Sequence, residues 1–135
     1  MFNVIDFVQE ISPVQPGETN DVLMANRQHL SAIASYRNLV ANWDEDDAIA
    51  PTHQTVVIAL DIALLLIATG QAIYHTSPGP TGEIMINLRN GDKSAEFLIY
   101  PDDRRKFVCI RPNEHPQQGP LTPDSLQKTL QWLNR

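Results

Sequence analysis

Between Thr55 and Gly70 the chain reads TVVIALDIALLLIATG, and from Val56 to Ala68 only Asp61 interrupts the apolar residues. A segment that is apolar on every side belongs inside a protein or a membrane. About thirteen residues with a central carboxylate fall short of the roughly 18–20 that cross a bilayer. The pattern therefore predicts a central core helix. Thr52 is placed to cap its start, and Gly70 to end it in a left-handed conformation.

Upstream, Leu23, Leu30, Ile33 and Val40 recur at helical spacing with Tyr36 and Leu39 beside them. They predict an amphipathic helix from Asn20 or Asp21 to about Ala41, with Arg27, Gln28, Ser31, Asn38 and Ala41 mostly on its other face. Val4, Phe7, Val8 and Ile11 behind Asn3 read as a short N-terminal helix over Met1–Ile11, a strand being the alternative. Pro13–Thr19 reads as a linker.

Beyond the breaker cluster Ser77–Gly82 the period falls to two. Ile84, Ile86 and Leu88 alternate with Glu83, Met85, Asn87 and Arg89. Asn90-Gly91 predicts a hairpin turn that sets Ile86 near Ala95 and Ile84 near Phe97. Ala95, Phe97 and Ile99 then share the apolar face, which a shift of two residues would preserve. Lys106–Arg111 completes a three-stranded meander, and Pro112–Pro120 reads as a surface connection. A last helix starts at Thr122 with Pro123 at its first position, Asp124 in its first turn and Leu121 able to staple onto Leu126; Leu130 and Leu133 extend its buried stripe.

The expected architecture is a single α+β domain over 1–135. It divides into an N-terminal segment and linker (1–19), a helical half (20–70), a β-meander (71–111), and a linker with a C-terminal helix (112–135). Two or three helices pack on one face of three antiparallel strands, and the last helix closes an edge or the far face. In that arrangement Leu126, Leu130 and Trp132 cover Met85, Leu98 and Tyr100; the alternative leaves those three as a patch for another chain.

Composition narrows the function classes. The net charge of −6 argues against nonspecific nucleic-acid binding, which needs a cationic surface to displace counterions. The single cysteine, Cys109, lies in an apolar run and reads as a buried structural thiol of a reducing compartment. The N-terminus has no basic region ahead of its apolar residues, so no signal peptide is expected and the cytoplasm is the default location.

Candidate chemistry is sparse. Asp44-Glu45-Asp46-Asp47 concentrates hard oxygen ligands but lacks the glycine and distal glutamate of a calcium loop, so a solvated turn is the plainer reading. Asp61 must reach water, a cation or a donor, with Arg27, Arg37 or a backbone amide as candidates. His29, His53, His75 and His115 have no metal-ligand spacing. No nucleophile elbow, P-loop or dinucleotide fingerprint occurs. Arg104-Arg105-Lys106, flanked by Asp102 and Asp103, is the one basic cluster. No cofactor and no catalytic residue is expected.

Two stretches together resemble a family of small uncharacterised bacterial proteins. They are Tyr36-Arg37-Asn38-Leu39 with Asn42-Trp43-Asp44, Pro51 and the apolar helix, and Pro78–Arg89 (PGPTGEIMINLR) with Glu96-Phe97-Leu98-Ile99. The likeness spans about Ala32 to Ile110. It departs where Glu45-Asp46-Asp47 replaces a glycine-containing turn, and where Leu88 precedes Arg89 in place of a more common acidic residue and tryptophan. The resemblance implies the helix–helix–meander layout and a toxin–antitoxin or defence-like setting without assigned activity. Asn42, Trp43 and Asp44 are read as a structural corner, the indole buried and the polar side chains bonded to the turn.

The expected function is a non-catalytic protein-binding module of the antitoxin, immunity or phage-defence accessory kind, using Asp44, Glu45, Asp46, Asp47, Met85, Leu98 and Tyr100. Its partner is another protein, such as a co-encoded toxin or defence subunit, with no nucleic acid, membrane or metal involved. The alternatives are a small metal-dependent hydrolase or nuclease built on Asp44, Asp46 and Asp47, and a structural homodimer.

Overall fold

A computed structural model describes residues 16–135; the reading of Met1–Ile11 lies outside the described residues. Helix α1 (Pro16–Ser35) runs into a 3-10 turn (Tyr36–Asn38), and α2 (His53–Ala68) follows the acidic turn. Then come β1 (His75–Pro78), β2 (Ile84–Asn90), β3 (Lys93–Ile99), β4 (Arg105–Ile110), β5 (Gln117–Pro120) and α3 (Pro123–Leu133). The strands form one antiparallel meander in the order β1-β2-β3-β4-β5. The architecture is α+β.

The sheet is wider than the alternation suggests, with five strands instead of three. Both additions are short edge strands ending in proline, Pro78 and Pro120. Proline is tolerated there because its missing N–H falls at an edge or a strand end, and it blunts the edge against further pairing. Helix α1 also differs: it begins at Pro16, inside the stretch read as a linker, and gives way after Ser35 to the 3-10 turn. The Tyr36 hydroxyl meets Thr76 Oγ1 at 3.2 Å, so the chain is tied to β1 there. Val40, assigned to the stripe, is left exposed.

Helix α2 is the centre of the fold. Thr52 caps it by accepting the Thr55 amide at 3.1 Å. Its far end is a Schellman turn: the Gln71 amide donates to Leu66 O at 2.8 Å and the Gly70 amide to Ile67 O at 3.0 Å, with Gly70 at φ 75°. Val56, Ile58, Ala59, Ile62, Ala63, Leu65 and Leu66 are buried, while Leu64 stands outward beside half-buried Val57, Leu60, Asp61 and Ile67. Asp61 thus lies on the side of α2 away from the sheet.

The hairpin joining β2 and β3 is displaced from the predicted register. Ile84 faces Ile99, Ile86 faces Phe97 and Leu88 faces Ala95. The loop is therefore Gly91-Asp92, with positive φ at Gly91 (61°) and not at Asp92. A shift of two residues keeps every side chain on its face. Ile84, Ile86, Leu88, Ala95, Phe97 and Ile99 are all fully buried.

Those six side chains form one cluster with Ile33 of α1, the buried face of α2, and Leu126, Leu130 and Leu133 of α3. Cys109, opposite Ala95 on β4, lies 3.9 Å from Thr129 Oγ1 of α3. The three described helices thus cover the same side of the sheet. This corrects the expectation that Leu126, Leu130 and Trp132 cover Met85, Leu98 and Tyr100. Leu121 and Leu126 are both buried and supply one side of the core instead, so α3 packs beside α2 and not behind the sheet.

Candidate functional site

With all described helices on one side, the sheet's second face carries the remaining side chains in rows set by the strand register. Ser77, Met85, Leu98, Lys106 and Pro120 form one row across the five strands. His75, Asn87, Glu96, Val108 and Gln118 form the next, and Arg89, Ser94 and Ile110 a third. Met85 and Leu98 are direct cross-strand neighbours, and with Val108 and Ile110 they are partly buried. Among the described residues no element lies over this face. Asn87, only 5% exposed, is satisfied within the sheet: its amide donates to Ser94 Oγ at 2.9 Å and to Ala95 O at 3.1 Å.

At one end of this face the β3–β4 turn folds over Tyr100. The Tyr100 amide donates to Arg104 O at 2.9 Å, and the Arg104 guanidinium lies 4.7 Å from the ring centroid. Arg104 Nε also reaches Asp102 Oδ2 at 2.7 Å. Some desolvation pushes the Asp102 carboxyl upward, but the hydrogen bonds and charge of Arg104 outweigh it and hold Asp102 below the usual carboxylate range. Next to the turn is an open cleft of about 470 Å³ lined by Tyr100, Asp103, Arg104, Arg105, Lys106, Gly119, Pro120 and Leu121. Gly119 lies close under the Phe107 ring, which a Cβ there would meet at 3.2 Å, so a larger residue requires the ring to give by a few tenths of an ångström.

The acidic turn is a separate feature, and its geometry is mostly self-directed. Asp44 Oδ1 accepts the amides of Asp46 (2.9 Å) and Ala48 (3.1 Å), and Asn42 Oδ1 accepts that of Asp47 (2.8 Å). Trp43, partly buried, donates its indole N–H to Ile49 O at 3.3 Å. Asn42, Glu45 and Asp47 all take left-handed φ of 65°, 63° and 62°. Glu45, Asp46 and Asp47 project into solvent. The turn's exit docks on the sheet end, Ile49 pairing with Thr81 and its amide donating to Pro80 O at 2.8 Å. Gly82 closes that joint, where a Cβ would sit 3.3 Å from Ala50 O and 3.4 Å from Pro101.

Of the residues singled out from the sequence, the fold brings Met85, Leu98 and Tyr100 onto one face and keeps the acidic turn as its own corner. Among the described residues no three His, Cys, Asp or Glu side chains converge as a metal site would require. No helix of the described residues is long and apolar enough to cross a membrane. Sequence reasoning missed Lys106, Val108 and Ile110 as members of the second face, although the alternation Lys106-Phe107-Val108-Cys109-Ile110 carries that information. It also missed the proximity of His29 and His75. Burial pushes the His29 imidazole below its ordinary value and the neighbouring His75 pushes it further, against a backbone hydrogen bond to Ile73.

Comparison with protein-family models, with curated proteins and with solved structures finds no match for the chain.

Proposed function

We propose that the protein is a non-catalytic protein-binding module that docks through the second face of its sheet. The observation that carries this reading is one-sided helix packing: α1, α2 and α3 share one core, while Met85, Leu98, Val108 and Ile110 face away from it. The four are partly buried, and a two-layer α+β domain needs no such apolar cluster on the side its described helices leave uncovered, which supports an interaction site there. The resemblance noted from Asn42-Trp43-Asp44 and Gly82-Glu83-Ile84 supports an antitoxin, immunity or defence-accessory role in the cytoplasm. The self-bonded acidic turn then serves as a rigid charged corner beside the docking face.

The test is capture from native host lysate with the tagged full chain, in parallel with Leu98→Glu and Met85→Glu. A charge placed on the second face removes the apolar contact without entering the helix-covered core, so each variant keeps its fold and loses the partner. Absence of any stoichiometric partner of the unmodified chain removes the reading, as does a partner retained by both variants.

A further inference from the structure

A helix at the surface of a domain normally keeps a polar side for water, and α2 has almost none. From Val57 onward its outward side carries Val57, Leu60, Leu64, Ile67 and Ala68, with Asp61 the only polar side chain among them. Leu64 is 45% exposed, and Ala68 is exposed as well. Helices α1 and α3 pack on the same side of the sheet as α2, in its own layer. Among the described residues no element lies over the stripe.

We propose that Met1–Ile11, outside the described residues, covers this stripe as a further helix. The chain path allows it. Helix α1 runs antiparallel to α2: Asn26 bonds Gln71 and Ile73 just past the end of α2, and the 3-10 turn after α1 touches α2 itself. Pro16–Ala25 therefore extend beyond the end of α2, by about 15 Å at 1.5 Å per residue. Ser12–Gln15 span at most roughly 14 Å, enough to bring the chain back to that end. Ile11 then stands level with Ala68. A helix from Ile11 back to Met1 covers about 16 Å, which is the length of the stripe from Ala68 to Val57. In such a helix Val4, Phe7, Val8 and Ile11 share one side, and Asp6 and Glu10 fall opposite.

A second copy of the chain is the poorer occupant, since a two-fold axis through this stripe sets two Asp61 carboxylates against each other. The segment brings no charged side chain to the contact. Its short tether also holds it at an effective concentration on the order of millimolar. The segment acts as a strap over the helix layer, and it leaves the second face of the sheet to the partner.

The experiment uses full-length variants with Cys109 left in place. Val8→Cys combined with Leu64→Cys is expected to close an intramolecular disulfide under mild oxidation, read as a faster-migrating monomer on a non-reducing gel. Val8→Cys combined with Leu98→Cys, on the second face of the sheet, is expected not to close. Phe7→Asp is expected to lower the melting temperature by roughly 5 °C or more, while Phe2→Asp, which lies off the stripe, leaves it unchanged. Absence of the link to position 64, or a link to position 98 in its place, overturns the proposal. A disulfide formed only between chains does so too, by making a second copy the occupant. Equal loss of melting temperature in Phe2→Asp and Phe7→Asp rejects the helical stripe. None of these outcomes depends on the lysate capture, so the strap and the docking face stand or fall separately.

Discussion

The side-chain amide of Asn26 takes the place of a missing strand. Its Oδ1 accepts the Ile73 amide at 2.9 Å and its Nδ2 donates to Gln71 O at 2.8 Å, so one helical residue bonds both backbone groups of the segment leading into β1. Asn26 is fully buried, and Ile73 is nearly so. Removing it leaves a buried N–H and a carbonyl without partners, at about 1–3 kcal/mol each. Asn26→Ala is expected to lower stability by roughly 2–4 kcal/mol in urea unfolding. Asn26→Asp restores only the acceptor, and buries a charge besides, so it does not rescue.

The His29–His75 pair gives the fold a pH dependence of known sign. His29 has its imidazole pushed below 6.5 by burial first and by His75 second. The unfolded chain therefore binds the proton more readily than the native one, and stability rises with pH across that window. The neutral-His29 contribution is complete well above the unfolded value of 6.5 and is lost as pH falls through it toward the lower native value. Melting temperature should drop as the pH is lowered through and below 6.5, and His29→Gln should flatten that segment of the curve. A profile unchanged by the substitution would place the acid sensitivity elsewhere.

At the acidic turn, hydrogen bonds and backbone conformation make opposite predictions for adjacent residues. Asp44 Oδ1 holds two amides, so Asp44→Ala should cost about 1–2 kcal/mol. Glu45 sits at φ 63°, a conformation that costs an L-residue about 1 kcal/mol and a glycine nothing. Glu45→Gly is accordingly expected to be neutral or slightly stabilising, although it removes a charge from the same loop. Reversal of that order in denaturant melts would mean the carboxylates, and not the loop geometry, set the stability.

The same geometry bears on metal binding. A divalent ion present at about 100 times its dissociation constant adds about 2.7 kcal/mol to native stability, a rise on the order of 10 °C for a domain this size. With Asp44 Oδ1 already accepting two amides, a thermal-shift series with Mg²⁺, Mn²⁺ and Ca²⁺ is expected to show no such rise. A saturable rise with one ion, removed by Asp46→Asn, would return the metal-dependent hydrolase to consideration.

What the sequence made legible follows from the range over which each signal acts. The Thr52 and Thr122 caps, the Gly70 terminus and the alternating faces of β2 and β3 are local, and each depends on residues a few positions apart. β1 and β5 carry no local strand signal: His75-Thr76-Ser77-Pro78 and Gln117-Gln118-Gly119-Pro120 are strands because a neighbour offers unpaired backbone groups. The cleft was hidden for the same reason, since Gly119 and Pro120 reach Lys106 and Phe107 only once β5 pairs with β4. Which side of the sheet α3 covers was likewise undetermined, because its stripe of Leu126, Leu130 and Leu133 would fit either face. Asn26 read as an ordinary helical polar residue, its partners lying 45 and 47 positions away.

The displaced hairpin shows how a distant contact overrides a local preference, and it yields the last prediction. A turn centred on Asn90-Gly91 would place Asn90 inside the loop. With the loop at Gly91-Asp92, Asn90 instead pairs with Lys93 at the strand end, and both point at α3. Asn90 Nδ2 donates to Leu133 O at 2.8 Å, and Lys93 Nζ donates to Trp132 O at 2.9 Å while lying 5.4 Å from the Trp132 ring. Helix α3 has no basic residue in its last turn, so this pair from the sheet supplies both the hydrogen bonds and the positive charge its C-terminus wants. Lys93→Met keeps the apolar stem and removes the ammonium, and should cost about 1 kcal/mol, less at high salt. Combining it with Asn90→Ala should leave α2 and the central strands protected in hydrogen exchange while the last turn of α3 exchanges freely. Equal loss of protection across the whole domain would show instead that the hairpin register, and not the helix end, depends on these two residues.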